Sequence, residues 1–148
     1  MIPILEKSGL LPSGIHWASW AEVENRYATN PHRVRLLGGL KRGIAALTAA
    51  GCQTLYLDGS FVTDKLLPND YDACWDIAGV NSKQLDPVFL DFRNMRAAQK
   101  AKYLGEFFPA HLCAEATPLF RTYIDFFQRD KDTGDPKGII GLVLKGQP

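Results

Sequence analysis

The segment from Leu55 to Asp76, LYLDGSFVTDKLLPNDYDACWD, restricts the possible folds more than any other part of this sequence. Its opening residues are apolar and aromatic and stop at Gly59-Ser60, so Gln53–Asp58 reads as a short strand ended by a glycine. Pro68-Asn69 reads as a turn. Acids then stand at Asp70, Asp72 and Asp76, with Cys74 interrupting the alternation. Alternate residues of a strand share a face, so a second strand over Asp70–Ile77 points Asp70 and Asp72 to one side. Two unpaired carboxylates placed this way repel, and one of their pKa values rises.

A divalent cation between Asp70 and Asp72 removes that penalty. Magnesium suits carboxylate oxygens and keeps positions open for water and substrate phosphates. Two such ions, about 3.5–4 Å apart, activate an attacking oxygen and stabilise a leaving one. Gly59-Ser60 complements the pair, because a glycine after a strand lets backbone N–H groups approach a ligand and the Ser60 hydroxyl adds a donor. Phosphate donors beside metal ligands suit a nucleoside triphosphate. Taken singly, Asp-X-Asp also describes a solvated edge strand, and Gly-Ser an ordinary turn.

The rest of the chain alternates helical and extended patterns. Ser19 precedes a short amphipathic run with Glu22 three residues on, a capping box. Asn30-Pro31 opens a longer helix on which Val34, Leu37, Leu40, Ile44 and Leu47 recur, and Gly51 stops it. Val88–Phe92 reads as a brief extended piece, Arg93–Leu104 as helix and Phe107–Ala116 as a strand loosened by Pro109. Residues 118–127 carry Phe120, Ile124 and Phe127 at helical spacing, RDKDTGDPKG is a polar turn, and GIIGLVLK closes as a strand. This order predicts an α/β or α+β domain over residues 1–148: a helical part over 1–50, then a core over 51–148 with one mixed, helix-flanked sheet.

Other residues have two readings each. Lys137, in the turn before the last strand, is either a phosphate contact or a plain turn residue. Arg93, Arg96 and Lys100 share a helical face that grips a triphosphate or RNA, or is simply solvated. Trp17, Trp20 and Trp75 are candidates for base stacking, with Trp75 placed in the core by its position opposite Asp72. The formal net charge of +1 gives no sign of a strongly electrostatic nucleic-acid binder. Cys52, Cys74 and Cys113 match no zinc spacing and suggest reduced thiols. With no convincing signal peptide and no apolar run of about 20 residues, a cytoplasmic protein without membrane partners is expected.

GSFVTDKLLPNDYD resembles the signature of the polymerase-β-like nucleotidyltransferase superfamily: Gly-Ser, a spacer, then Asp-X-Asp. LPSGIHWASWAEVENRY, AGCQTLYLDGSFVTDK and DFFQRDKDTGDPKGI resemble, nearly end to end, a family of small bacterial proteins of unknown function with that fold. The resemblance implies magnesium or manganese and a nucleoside triphosphate, with Gly59 and Ser60 on phosphates and Asp70 and Asp72 on metal. It implies transfer of a nucleoside monophosphate to an RNA or protein hydroxyl, within a toxin–antitoxin or phage-defence pair whose cognate protein would be a partner. The alternative is a module of the same fold that binds nucleotide or a partner without turnover. The superfamily also uses a third carboxylate on a later strand. Glu115 is the candidate here, ahead of Asp91 and Asp76, and His111 lies on the same expected strand face as Glu115.

Overall fold

The structure is a computed structural model that describes residues 1–116 and 120–145. Its centre is a mixed sheet of five strands: β1 (Gly14–Ala18), β2 (Thr54–Asp58), β3 (Asp72–Trp75), β4 (Glu106–Pro109) and β7 (Gly138–Val143), in the order β1-β7-β2-β3-β4. Strand β2 runs antiparallel to both β3 and β7, whereas β3 pairs with β4, and β1 with β7, in parallel. Two short strands, β5 (Cys113–Glu115) and β6 (Arg121–Thr122), form a separate antiparallel ribbon. The helices are α1 (Trp20–Tyr27), α2 (Pro31–Ala49), α3 (Arg93–Tyr103) and α4 (Tyr123–Phe127). This is the α+β architecture with a flanked mixed sheet that the element order predicts.

The two expected helix starts form for the expected reasons. Ser19 and Glu22 exchange both bonds of a capping box, and the Asn30 side chain accepts from the Arg33 N–H at 2.8 Å with Pro31 in the first turn. One face of the sheet carries the large core: Leu55, Leu57, Ala73, Trp75, Phe107, Ile140 and Leu142 pack with Leu36, Leu40, Ile44 and Leu47 of α2. Helix α3 lies so close to α2 that a Cβ on Gly39 would stand 2.1 Å from the Tyr103 carbonyl oxygen. The opposite face is covered by a smaller cluster of Cys74, Phe108, Ala110, Phe127 and Ile139, roofed by α4.

Several expectations are corrected. The N-terminal 50 residues are not only helical, because Gly14–Ala18 enters the sheet as an edge strand beside β7. That edge shows only a weak period, since its burial runs exposed, intermediate, intermediate, exposed, intermediate. Strand β3 spans Asp72–Trp75 rather than Asp70–Ile77, so Asp70 precedes it and Asp76 follows it. Val88–Phe92 is not extended; a 3-10 turn covers Pro87–Leu90, capped by the Asp86 carboxylate on the Val88 N–H. The strand expected over Phe107–Ala116 divides into β4 and β5 around a turn after Pro109. No helix among the described residues is long and apolar enough to cross a membrane.

Candidate active site

The chain brings its acids together through strand register. Asp58, the last residue of β2, lies opposite Asp72, the first of β3, and Asp72 is in turn the register partner of Glu106, the first of β4. Residues paired in register project from the same side of a sheet, so three carboxylates form one row at the sheet's end. They share the face covered by α4, while Leu57, Ala73 and Phe107 beside them enter the large core. Asp70 joins the row from the loop before β3, raised by burial first and by the charge of Glu106 second.

Among the described residues the row is ion-paired at its ends and not in its middle, where Lys137 acts on Asp72 only from its place on Asp58. Lys137 places its ammonium on Asp58 at 2.7 and 3.0 Å, and Arg96 and Lys100 reach Glu106 at 3.2 and 2.9 Å. Asp72 has no such ion pair among the described residues. Burial, then the charges of Glu106, Asp70 and Asp58, push its carboxyl up to about 7. Asp58 is 3 % exposed, and burial raises its carboxyl while the Lys137 ammonium pulls it back.

Local structure sets each of these groups. The turn after α4 closes on itself through Asp130 and Asp135, and the Lys137 N–H donates to the Gln128 carbonyl, which delivers Lys137 to the start of β7. Glu106 is fixed from both sides: its N–H donates to the Tyr71 carbonyl, and the buried Gln99 amide accepts from the Phe107 N–H at 2.7 Å. Helix α3 begins with Asn94, Met95 and Arg96 in the left-handed region, at φ of 51°, 56° and 63°. Three such residues in succession cost on the order of 1–2 kcal/mol each. Opposing that cost, Arg96 sits 5.1 Å from the Phe108 ring centroid and against Glu106.

Gly59 and Ser60 border the row directly. Gly59 has φ of 86°, and a Cβ there would meet the Asp72 carboxylate oxygen at 2.9 Å. Ser60 starts a 3-10 turn, Ser60–Val62. The loop that follows is pinned from beneath by Arg33, a 3 % exposed guanidinium that donates to the Phe61 carbonyl at 2.7 Å and the Thr63 carbonyl at 3.2 Å. Replacing Gly59 with alanine is expected to combine left-handed strain with displacement of Asp72. The result is a loss of about 1–3 kcal/mol, read as a fall in the thermal midpoint.

A cleft of about 420 Å³ opens over this arrangement, lined by Asp58, Gly59, Ser60, Asp70, Asp72 and Lys137 together with Lys65, Arg129, Lys131 and Phe126. The structure thus brings Gly59, Ser60, Asp70, Asp72 and Lys137 to one place, although Lys137 holds a carboxylate there. Glu115 is elsewhere: it lies in the β5–β6 ribbon, 3.6 Å from Arg121. Asp91 is held by the Arg93 guanidinium at 2.9 and 3.0 Å, which keeps its carboxyl at about 2. Asp76 accepts from the Ala78 N–H and so closes the turn after β3. His111 is exposed in the turn between β4 and β5.

Glu106 and Asp58 were missed by sequence reasoning. Glu106 had a readable signal, an acid at the start of the aromatic run Phe107-Phe108, which the expected strand began one residue too late to include. Trp75 and Cys74 are core residues, and burial drives the Cys74 thiol upward. Arg96 and Lys100 are partners of Glu106 rather than a free basic face.

A model of the family of unknown function DUF6932 matches residues 3–143. The chain belongs to this family. No curated protein and no solved structure matches it. For this DUF6932 member, the residues in the cleft are therefore the ground on which a function is argued.

Proposed function

We propose that this DUF6932 protein is a metal-dependent nucleotidyltransferase of the polymerase-β-like type. It would transfer a nucleoside monophosphate from a triphosphate to an acceptor hydroxyl on RNA or protein. One observation carries the reading: among the described residues Asp72 has no ion pair of its own in the middle of a carboxylate row whose ends are ion-paired, and it lies directly against Gly59. A buried negative charge left this way is matched by a cation that arrives with the substrate.

The residues fit one such ion better than a prebuilt cage. No group of three or more His, Cys, Asp or Glu side chains among the described residues is set to hold a metal by itself. Magnesium, or manganese, is commonly bound by one or two carboxylates plus substrate phosphates, and Asp70 and Asp72 supply that pair. When bound, the ion would draw charge from the transferring phosphoryl group. Gly59 lets the chain turn tightly against Asp72, and the Ser60 hydroxyl that follows it would donate to a phosphate oxygen in the cleft. Lys65 and Lys131 supply positive charge along the cleft for the leaving pyrophosphate. Glu106 takes the proton of the attacking hydroxyl.

A second reading rests on a specific observation. Glu106 and Asp58 are both held by cations, so the same fold would serve as a nucleotide-binding module without turnover. A place in a toxin–antitoxin or phage-defence pair belongs to either reading. The discriminating experiment incubates the protein with each α-labelled triphosphate, magnesium or manganese, and cellular RNA and protein. Label entering a macromolecule, and lost on chelation with EDTA, is the expected outcome. Nucleotide binding with no transferred label would favour the module.

A further inference from the structure

Asp70 and Asn69 also line a second cleft, one that Ser60 does not border. It has a volume of about 360 Å³, and its other walls are Arg35 and Leu36 of α2, Lys100 of α3, and Leu104. Asp70 and Asn69 are thus a rim shared by two compartments. The larger one holds the Gly-Ser turn with Lys65, Arg129 and Lys131, and so fits a triphosphate. The smaller one has no glycine turn, but it has two cations spaced around one carboxylate. Arg35 is exposed and makes no ion pair among the described residues, and Lys100 shares its charge with Glu106.

Phosphoryl transfer places the attacking and leaving oxygens in line on opposite sides of phosphorus. With the leaving pyrophosphate in the larger cleft, the adjoining cleft that shares Asp70 is the compartment from which an attacking hydroxyl reaches the same phosphorus. We infer that the Arg35–Lys100 cleft receives the acceptor, and that the acceptor is the 3′ end of an RNA strand, whose last phosphodiester lies one ribose from the reacting hydroxyl. A protein hydroxyl carries no anion at a fixed distance, so two cations beside the entry point would have nothing to hold. In the step, the 3′ oxygen bonds to the α-phosphorus and the α–β phosphoanhydride bond breaks. Pyrophosphate leaves, and the hydroxyl proton passes to Glu106. This inference rests on the transferase reading for the chemistry and on the two clefts alone for where RNA binds.

The test separates those two supports by reading binding without turnover. A fluorescent 12-nucleotide RNA with a free 3′ hydroxyl is titrated with the full chain and followed by anisotropy. Arg35→Ala should weaken binding about tenfold and reduce the slope of log affinity against log salt by about 0.7, one phosphate contact on a single strand. Arg35→Lys should restore most of the affinity. The same RNA ending in a 3′ phosphate should bind at least fivefold more weakly, because its terminal charge would meet Asp70. A triphosphate with a methylene between the α- and β-phosphorus should leave the RNA bound. Unchanged affinity in Arg35→Ala, equal binding of the 3′-phosphorylated strand, or displacement by the analogue would each overturn the inference. Label entering protein but not RNA would overturn it while sparing the transferase reading. Arg35-dependent binding with no label transferred would leave the acceptor cleft standing and defeat turnover instead.

Discussion

Replacing Asp72 with asparagine is expected to abolish nucleotide transfer, by about 10³-fold or more, and at pH 8 to make the protein more stable. Both effects follow from one placement. Asp72 lies between Asp58 and Glu106 in strand register, with Asp70 beside it, and among the described residues it has no ion pair of its own; the Lys137 ammonium, bonded to Asp58, offsets its burial and the neighbouring acids only in part. As the central acid facing the Gly-Ser turn, it is the ligand that the incoming cation most needs, so its loss removes the transition-state charge compensation.

The stability half has a definite pH window. The Asp72 carboxyl is raised from 3.8 to about 7, so between those values the folded chain holds a proton that the unfolded chain has released. Stability then falls as pH rises through that window, because the native state binds more protons than the unfolded one. Asparagine mimics the protonated carboxyl and carries no such dependence. The variant should match the wild type near pH 4 and exceed it at pH 8 by on the order of 2 kcal/mol. In a domain of this size that is a rise in thermal midpoint of about 4–8 °C. Magnesium or manganese should stabilise the wild type at pH 8 and the variant far less, since only a ligand bound to the native state shifts the midpoint. Melting curves at the two pH values, with and without metal, decide the matter. A variant less stable than the wild type at pH 8 would mean that the row is not repulsive.

How far the sequence discloses this site depends on the range of the interaction behind each residue. The Gly59–Asp72 segment is legible because its parts are local: a strand ended by glycine, a turn at proline, and an acid at the start of the next strand. Capping at Ser19 and Asn30 is legible for the same reason. Glu106 reaches Asp72 only through the parallel pairing of β3 with β4, which spans a helix and a buried Gln99 bridge, and no local pattern encodes that register. Asp58 was read as a strand terminus because nothing nearby reveals Lys137, 79 residues away, as its partner. The strand at Gly14–Ala18 escaped notice because it is an edge whose partner, β7, lies near the other end of the chain. Basic side chains on α3 looked like a free surface for the complementary reason, that the acid they neutralise arrives from another element.

The sharpest separation between local pattern and strand register comes from two glutamates. Glu106→Gln is expected to lower transfer by about 10²–10⁴-fold, the range for loss of a positioned proton acceptor, while Glu115→Gln should stay within about twofold of the wild type. Glu106 stands in register with Asp72 and raises both Asp70 and Asp72, whereas Glu115 lies in the β5–β6 ribbon beside Arg121. The Gln variant keeps the shape of the side chain, but it strands Arg96 and Lys100 without a carboxylate. The activity comparison is therefore accompanied by a melting curve, and a loss of transfer without a matching loss of structure assigns the effect to chemistry. The charge change has a second readout. Removing the Glu106 charge takes away the largest like-charge contribution to Asp72, so the pH-dependent part of the wild-type stability between about pH 4 and 7 should shrink in Glu106→Gln and persist in Glu115→Gln. A variant at position 115 that loses activity while one at 106 retains it would return the third carboxylate to the ribbon and dismantle the acidic row as the catalytic unit.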